Sequence, residues 1–99
     1  MYLDSLAMNK YLIEVSHGAD KKSCDHAIQV FLQSGSHFLT RAEWGCLDGE
    51  HKAWIIVEVE SKEEARHIVP PYFRPDAKII QLTTFSSMDL MKPDKYHSV

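Results

Sequence analysis

Asp48-Gly49 stands between two runs in which apolar and polar residues alternate, and this arrangement narrows the fold more than any other stretch of the chain. Both central positions of a two-residue type I′ turn need φ > 0, which Asp and Gly tolerate. The pair therefore predicts a β-hairpin. One arm covers residues 37–47 and puts Phe38, Thr40, Ala42, Trp44 and Cys46 on one face. The other covers about 51–60, with Ala53, Ile55, Val57 and Val59 on one face and Trp54, Ile56, Glu58 and Glu60 on the other. A two-residue loop sets Leu47 opposite Glu50 and Cys46 opposite His51.

The rest of the chain frames that hairpin. Residues 10–17 alternate with period two, which predicts a first strand with Tyr11, Ile13 and Val15 on one side. Residues 20–34 carry Cys24, Ala27, Ile28, Phe31 and Leu32 at helical spacing, with Asp20 as N-cap and Gly35 suited to the left-handed position beyond the end. Ser61-Lys62-Glu63-Glu64 is a capping box that opens a second helix, with Ala65, Ile68 and Val69 inward and Pro70-Pro71 as its stop. Residues 70–75 predict a stiff connector whose Tyr72 and Phe73 fill the base of the core. A fourth strand covers 77–85, with Ile80 and Leu82 sharing a face.

The order βαββαβ predicts a ferredoxin-like α+β fold: a four-stranded antiparallel sheet of strand order 4-1-3-2, with two helices on one face. The domain spans 10–85. Residues 1–9 form an N-terminal extension, and 86–99 a tail that is loose or lies over a partner subunit. The helix-covered face collects Tyr11, Ile13, Val15, Ala42, Trp44, Ala53, Ile55 and Val57, with Ile80 or its neighbour. The opposite face reads Leu12, Glu14, Leu39, Arg41, Glu43, Trp54, Ile56, Glu58, Ile79 and Gln81. It is too apolar to stand bare and too charged to be a dry core, which a second copy packed against it would resolve.

In pattern and size, over roughly residues 10–85, the chain resembles the dimeric α/β-barrel superfamily, which includes muconolactone-isomerase-like and antibiotic-monooxygenase-like proteins. More narrowly, H-G-A-D at 17–20, W-G-C-x-x-G-x-H at 44–51 and V-P-P-Y-F-R at 69–74 resemble a small uncharacterised bacterial and archaeal family. The superfamily resemblance implies a homodimer, with a ligand held between sheet and helices or inside the barrel. No catalytic motif of those enzymes maps onto residues of this sequence.

Composition removes several classes of partner. Eleven basic against 14 acidic residues, a net charge of −3, argue against nucleic acid, which needs a basic face. An RNA-recognition module would also need aromatics across its central strands, and only Trp54 is so placed. No apolar run approaches the ~20 residues that span a membrane. The first residues lack the basic and long apolar segments of a signal peptide, so a cytoplasmic protein is expected. There the two cysteines stay thiols.

Two groups of residues carry possible chemistry. Pairing Val15 with Ile55 sets His17 opposite Ala53 and diagonal to His51. His17, Cys46 and His51 then share the helix side of one sheet edge, where the first helix begins and brings Cys24 or His26 near. Imidazoles and thiols together suit a borderline divalent metal, zinc or nickel. The same residues also fit a thiolate–imidazole pair, Cys46 with His51, and the helix start after Gly18 fits an anion. The plainest alternative is that the histidines are strand-end residues and the cysteines small core hydrophobes.

On the opposite face, Glu14 and Glu58 come out as diagonal neighbours around Trp54. Such a pair in an enclosed barrel would have a raised pKa and serve as general acid and base. Arg41, Trp54 and Trp44 are the candidate ligand contacts, with Arg41 alternatively pairing a glutamate across a dimer interface. Three classes of function result. One is a homodimer binding a small ligand or metal at the hairpin edge. The others are an isomerase- or monooxygenase-like barrel enzyme and a non-catalytic interaction module.

Overall fold

In the computed structural model, which describes residues 7–91, the elements follow as β1 (Asn9–Ser16), α1 (Lys21–Gln33), β2 (Glu43–Trp44), β3 (Lys52–Val59), α2 (Lys62–Ile68) and β4 (Ala77–Leu82). Short 3-10 segments cover Leu39–Arg41, Cys46–Asp48, Pro71–Asp76 and Asp89–Met91. The four strands form one open sheet, β2-β3-β1-β4, with every neighbouring pair antiparallel. This is the expected order, counted from the other edge, and it is consistent with a ferredoxin-like arrangement. Among the described residues no helix is long and apolar enough to cross a membrane.

Period two decides which side chains are buried. Tyr11, Ile13 and Val15 of β1 and Ala53, Ile55, Val57 and Val59 of β3 are buried together. Ala27 and Phe31 of α1, Ala65 of α2, and Val69 close the same core, so both helices cover one face. The observed pairs are Ile13↔Ile55 and Val15↔Ala53, two residues away from the expected register. A shift of two keeps every side chain on its face, so the burial pattern survives the error.

The caps form where the sequence put them. The Asp20 carboxylate accepts from the Ser23 amide at 3.0 Å and the Ser23 hydroxyl at 2.8 Å. Gly35 takes φ 82° just beyond α1. Ser61 Oγ accepts from the Glu64 amide at 3.1 Å, while the Glu64 carboxylate accepts from the Glu60 amide at 3.1 Å. That return bond lands one residue earlier than in the usual capping box.

Several expectations are corrected. The second strand was expected over 37–47 but pairs only at Glu43 and Trp44. Ser36 and Thr40 supply the reason: the Ser36 carbonyl accepts from the Thr40 amide, Ser36 Oγ from the Leu39 amide, and the Thr40 hydroxyl donates to the His37 carbonyl. Local bonds of this kind compete with a sheet ladder. They turn Leu39 from the open face into the core, at 2% exposure. The loop after β2 is not a two-residue turn, because Cys46–Asp48 coils into a 3-10 segment before Gly49. In β4, Ile79 pairs with Ile13 on the helix side and Ile80 with Leu12 on the open side. The strand ends at Leu82 and does not reach 85. Leu32 is exposed, and Tyr72 is 74% exposed while Phe73 alone enters the core. Asn9, placed in the extension, belongs to β1. The remainder of the expected extension and tail, residues 1–6 and 92–99, lies outside the described residues.

Candidate metal centre

The end of β1 meets the start of β3 beyond their last paired residues, Ser16 and Lys52. The His17 amide donates to the His51 carbonyl at 3.1 Å and carries the ladder one step further. The same two-residue shift that left the core intact thus sets His17 directly opposite His51 rather than diagonal to it. Their rings stand 5.9 Å apart, edge to face at 87°.

Cys46 is brought to this edge by a loop built around Gly45. The Gly45 carbonyl accepts from the amides of Asp48 and Glu50, both at 2.9 Å, and the Gly45 amide donates to the Lys52 carbonyl at 3.1 Å. A Cβ on Gly45 would lie 2.8 Å from the Glu50 carbonyl and 2.8 Å from the Trp54 ring. Only glycine lets the chain fold back this closely. Gly49 then takes φ 86° and redirects the chain into β3. Cys24 arrives from the first turn of α1, where its amide donates to the Asp20 carbonyl at 3.0 Å. The Asp20 cap therefore fixes its position.

The side chains converge. The Cys24 thiol donates to the Cys46 sulfur at 2.8 Å. His17 Nε2 lies 3.2 Å from the same sulfur. One donor atom from each of His17, Cys24, Cys46 and His51 falls within 4.8 Å of all the others, and all four residues are half-buried. Zinc with bonds of about 2.0 Å to nitrogen and 2.3 Å to sulfur places tetrahedral donors about 3.3–3.8 Å apart. The observed separations bracket that range. Among the described residues, His17 Nδ1 and His51 Nδ1 are buried with no hydrogen-bond partner. An unsatisfied buried polar atom costs about 1–3 kcal/mol.

Two of the four groups are held toward their neutral forms. Burial, and then the neighbouring His51, push the His17 pKa down, which favours the neutral imidazole. The hydrogen bond to Cys46, followed by burial and the Cys46 charge, pushes the Cys24 thiol up to about 11. Neutral imidazole is the form that binds metal, and a thiol gives up its proton when it does so.

Of the residues singled out in the sequence, His17, Cys46 and His51 are brought together and Cys24 completes the group. His26, the alternative to Cys24, packs its ring on Tyr72 at 5.7 Å and on Phe73 at 6.0 Å. The sequence held a signal for this choice, since Cys24 lies on the apolar stripe of α1 and His26 does not. The imidazole in hydrogen-bond contact with Cys46 is that of His17, not the His51 expected for a thiolate–imidazole pair. A cleft of about 550 Å³ opens against the group, lined by Cys24, Cys46, His51, Trp44, Ile28 and Leu47 among others.

The open face holds the second set of candidates, and the register separates them. Glu14 pairs directly with Trp54, whereas Glu58 pairs with Lys10, four positions along β1. The Trp54 indole donates to Glu14 Oε1 at 3.2 Å, and Lys52 Nζ lies 3.3 Å from Oε2. The indole hydrogen bond leads in holding the Glu14 carboxyl below its usual range, with Lys52 and Lys78 adding to it. That direction is opposite to the raised pKa expected of an enclosed carboxylate pair. Arg41 and Trp54 share a shallow cleft of about 240 Å³ with Leu12, Glu43 and Ile56. Trp44 lies on the other side of the sheet, 5.0 Å from the Phe31 ring and 5.6 Å from His17.

No protein-family model, curated protein or solved structure matches the chain significantly.

Proposed function

We propose that this protein binds one divalent transition-metal ion, zinc or nickel, through His17, Cys24, Cys46 and His51, as a homodimer in the cytoplasm. The observation that carries this reading is the convergence of two imidazoles and two thiols within 4.8 Å. The two orphaned imidazole nitrogens support it, because buried polar atoms ordinarily have partners. Four protein donors fill a tetrahedral shell and leave no position for an activated water. The chemistry is therefore that of a structural or metal-holding centre, not of a zinc hydrolase. Such an ion joins the first turn of α1 to the ends of β1 and β3 and to the loop between β2 and β3.

The homodimer rests on the open sheet face. Leu12, Trp54, Ile56 and Ile80 lie on it, with Ile56 at 62% exposure. Glu14 and Glu58 stand among Lys10, Lys52 and Lys78 there, so a second copy offers both signs of charge in return.

Purification without a histidine tag, followed by elemental analysis and titration with zinc and nickel, tests the metal. One equivalent per chain is expected, with a cobalt-substituted form showing thiolate-to-metal absorption. Protein whose metal content stays far below one equivalent, and whose melting temperature ignores both ions, sinks the proposal. Light scattering tests the dimer, and a monomer that persists at high concentration removes it.

A further inference from the structure

We propose that Cys24 and Cys46 form a reversible disulfide in response to peroxide, and that this modification empties the metal centre. The release of metal rests on the metal reading above; the disulfide itself does not. The two sulfurs stand 2.8 Å apart although their residues are 22 positions apart and on different elements. They are the chain's only cysteines. Both line the cleft of about 550 Å³, so a small oxidant reaches them without unfolding. In the metal-free chain His17 Nε2, 3.2 Å from the Cys46 sulfur, is placed to take up the Cys46 proton. Cys46 is then the nucleophile and Cys24 the resolving thiol.

The chemistry closes with hydrogen peroxide as the oxidant. The Cys46 sulfur attacks one peroxide oxygen, the O–O bond breaks, and the products are a sulfenic acid and water. The Cys24 sulfur then attacks the Cys46 sulfur, the S–O bond breaks, and a second water leaves with the Cys24 proton. In the metal-free chain two thiols lose two electrons and two protons, and one peroxide becomes two waters; in the loaded chain the cysteines are already thiolates, and solvent supplies the two protons. The disulfide leaves only His17 and His51 as donors, half of the set, so the ion dissociates. A dithiol or phosphine reductant returns the two electrons and restores the site.

The test uses the full chain, reduced and loaded with zinc, treated with one equivalent of hydrogen peroxide. Intact mass, non-reducing electrophoresis and a chromogenic zinc chelator are read together. The expected result is a monomeric chain lighter by about 2 Da, one zinc released per disulfide, and reversal of both by a phosphine. Masses raised by about 16 or 32 Da without the lighter species, or a covalent dimer in its place, overturn the inference. Cys24→Ser should never give the lighter species; metal-free wild-type chain should give it, which keeps the test decisive if the variant folds poorly. His51→Ala separates the two readings, because it should lose zinc yet still form the disulfide. A wild-type chain that forms the disulfide but never held zinc ends the metal reading alone. A chain that keeps zinc and two alkylatable thiols after peroxide ends this one alone.

Discussion

On one side of the β1–β3 ladder, near its hairpin end, the Trp54 indole and the Lys52 ammonium both engage the Glu14 carboxylate, at 3.2 and 3.3 Å. On the other side, a few ångströms of backbone away, two imidazoles and two thiols crowd together, and two ring nitrogens have no partner among the described residues. Both groups were candidates in the sequence, the helix-side one first. Their difference is one of completion. The open-face group is finished by protein atoms, as interior polar groups generally are. The helix-side group leaves donors facing one another, an arrangement that a protein keeps only where something else satisfies it or where strain is stored. On the proposed reading, ligand chemistry belongs to the helix side and a structural role to the open side.

The largest expected effect breaks the contrast directly. Loss of a partner hydrogen-bonded to a metal ligand typically lowers affinity about 10–100-fold, so loss of a ligand should do at least as much. Cys46→Ser or His51→Ala should therefore weaken zinc binding by about 100-fold or more, read by competition with a chelator of known affinity. Trp54→Phe should leave that affinity unchanged within error, since Trp54 lies on the open face, bonds Glu14 there and is none of the four donors. Equal losses from both kinds of variant would mean that the two groups are one unit.

Next in size is the effect of the ion on stability. Binding to the folded state alone adds about 2.7 kcal/mol at a free concentration 100 times Kd. For a domain of about 60–100 residues, each kcal/mol raises Tm by roughly 4–8 °C. Zinc should thus raise Tm by roughly 10–20 °C, and a chelator should reverse it. His51→Ala should abolish the shift. A shift that survives in His51→Ala would place the ion elsewhere.

Gly45 sharpens the comparison because it touches both sides. Its missing Cβ makes room for the Glu50 carbonyl behind Cys46 and for the Trp54 ring on the open face. Gly45→Ala should destabilise the fold by about 1–3 kcal/mol, the usual range for overpacking. It should also weaken zinc binding and disturb Trp54 fluorescence together. A variant that moves only one of these readouts would show that the loop and the open face adjust separately.

How much of this was legible in the sequence follows from what each feature depends on. The burial of Ile13, Val15, Ala53, Ile55 and Val57 depends only on parity, and parity was plain. The pairing of Val15 with Ala53 depends on a two-residue choice that parity leaves open, and that choice decides whether His17 meets His51 head-on. Cys24 was seen only as one of two options, because the facing of a helix depends on where its cap sets the first turn. The shortened second strand was missed because Ser36 and Thr40 bond their own backbone neighbours, a preference that the alternation of Phe38, Thr40 and Ala42 conceals. The partnered state of Glu14 was hidden for the same reason as the histidine pair: only the register says that Trp54 and Lys78 flank it.

The smallest expected effect is on pH dependence, and the two sides should differ in the window they occupy. In metal-free protein the folded-state pKa of His17 lies below its ordinary 6.5 because of burial. The unfolded chain takes up that proton first as the pH falls. His17 therefore contributes stability that is complete above 6.5 and is lost as the pH drops below it. Glu14 also has a lowered folded-state pKa, against an ordinary 4.5, chiefly through the Trp54 indole. Its contribution is present above 4.5 and is lost only as the pH falls further, toward the folded-state value. Both are partly solvated groups, so each contribution should stay below about 1 kcal/mol. Urea titrations of the metal-free chain from pH 7.5 to 3.5 should then show two successive losses. His17→Ala should flatten the upper one and Glu14→Gln the lower. A single transition removed by either substitution would mean that the ladder between the two sides couples them, and the division of the hairpin end into separate groups would have to be given up.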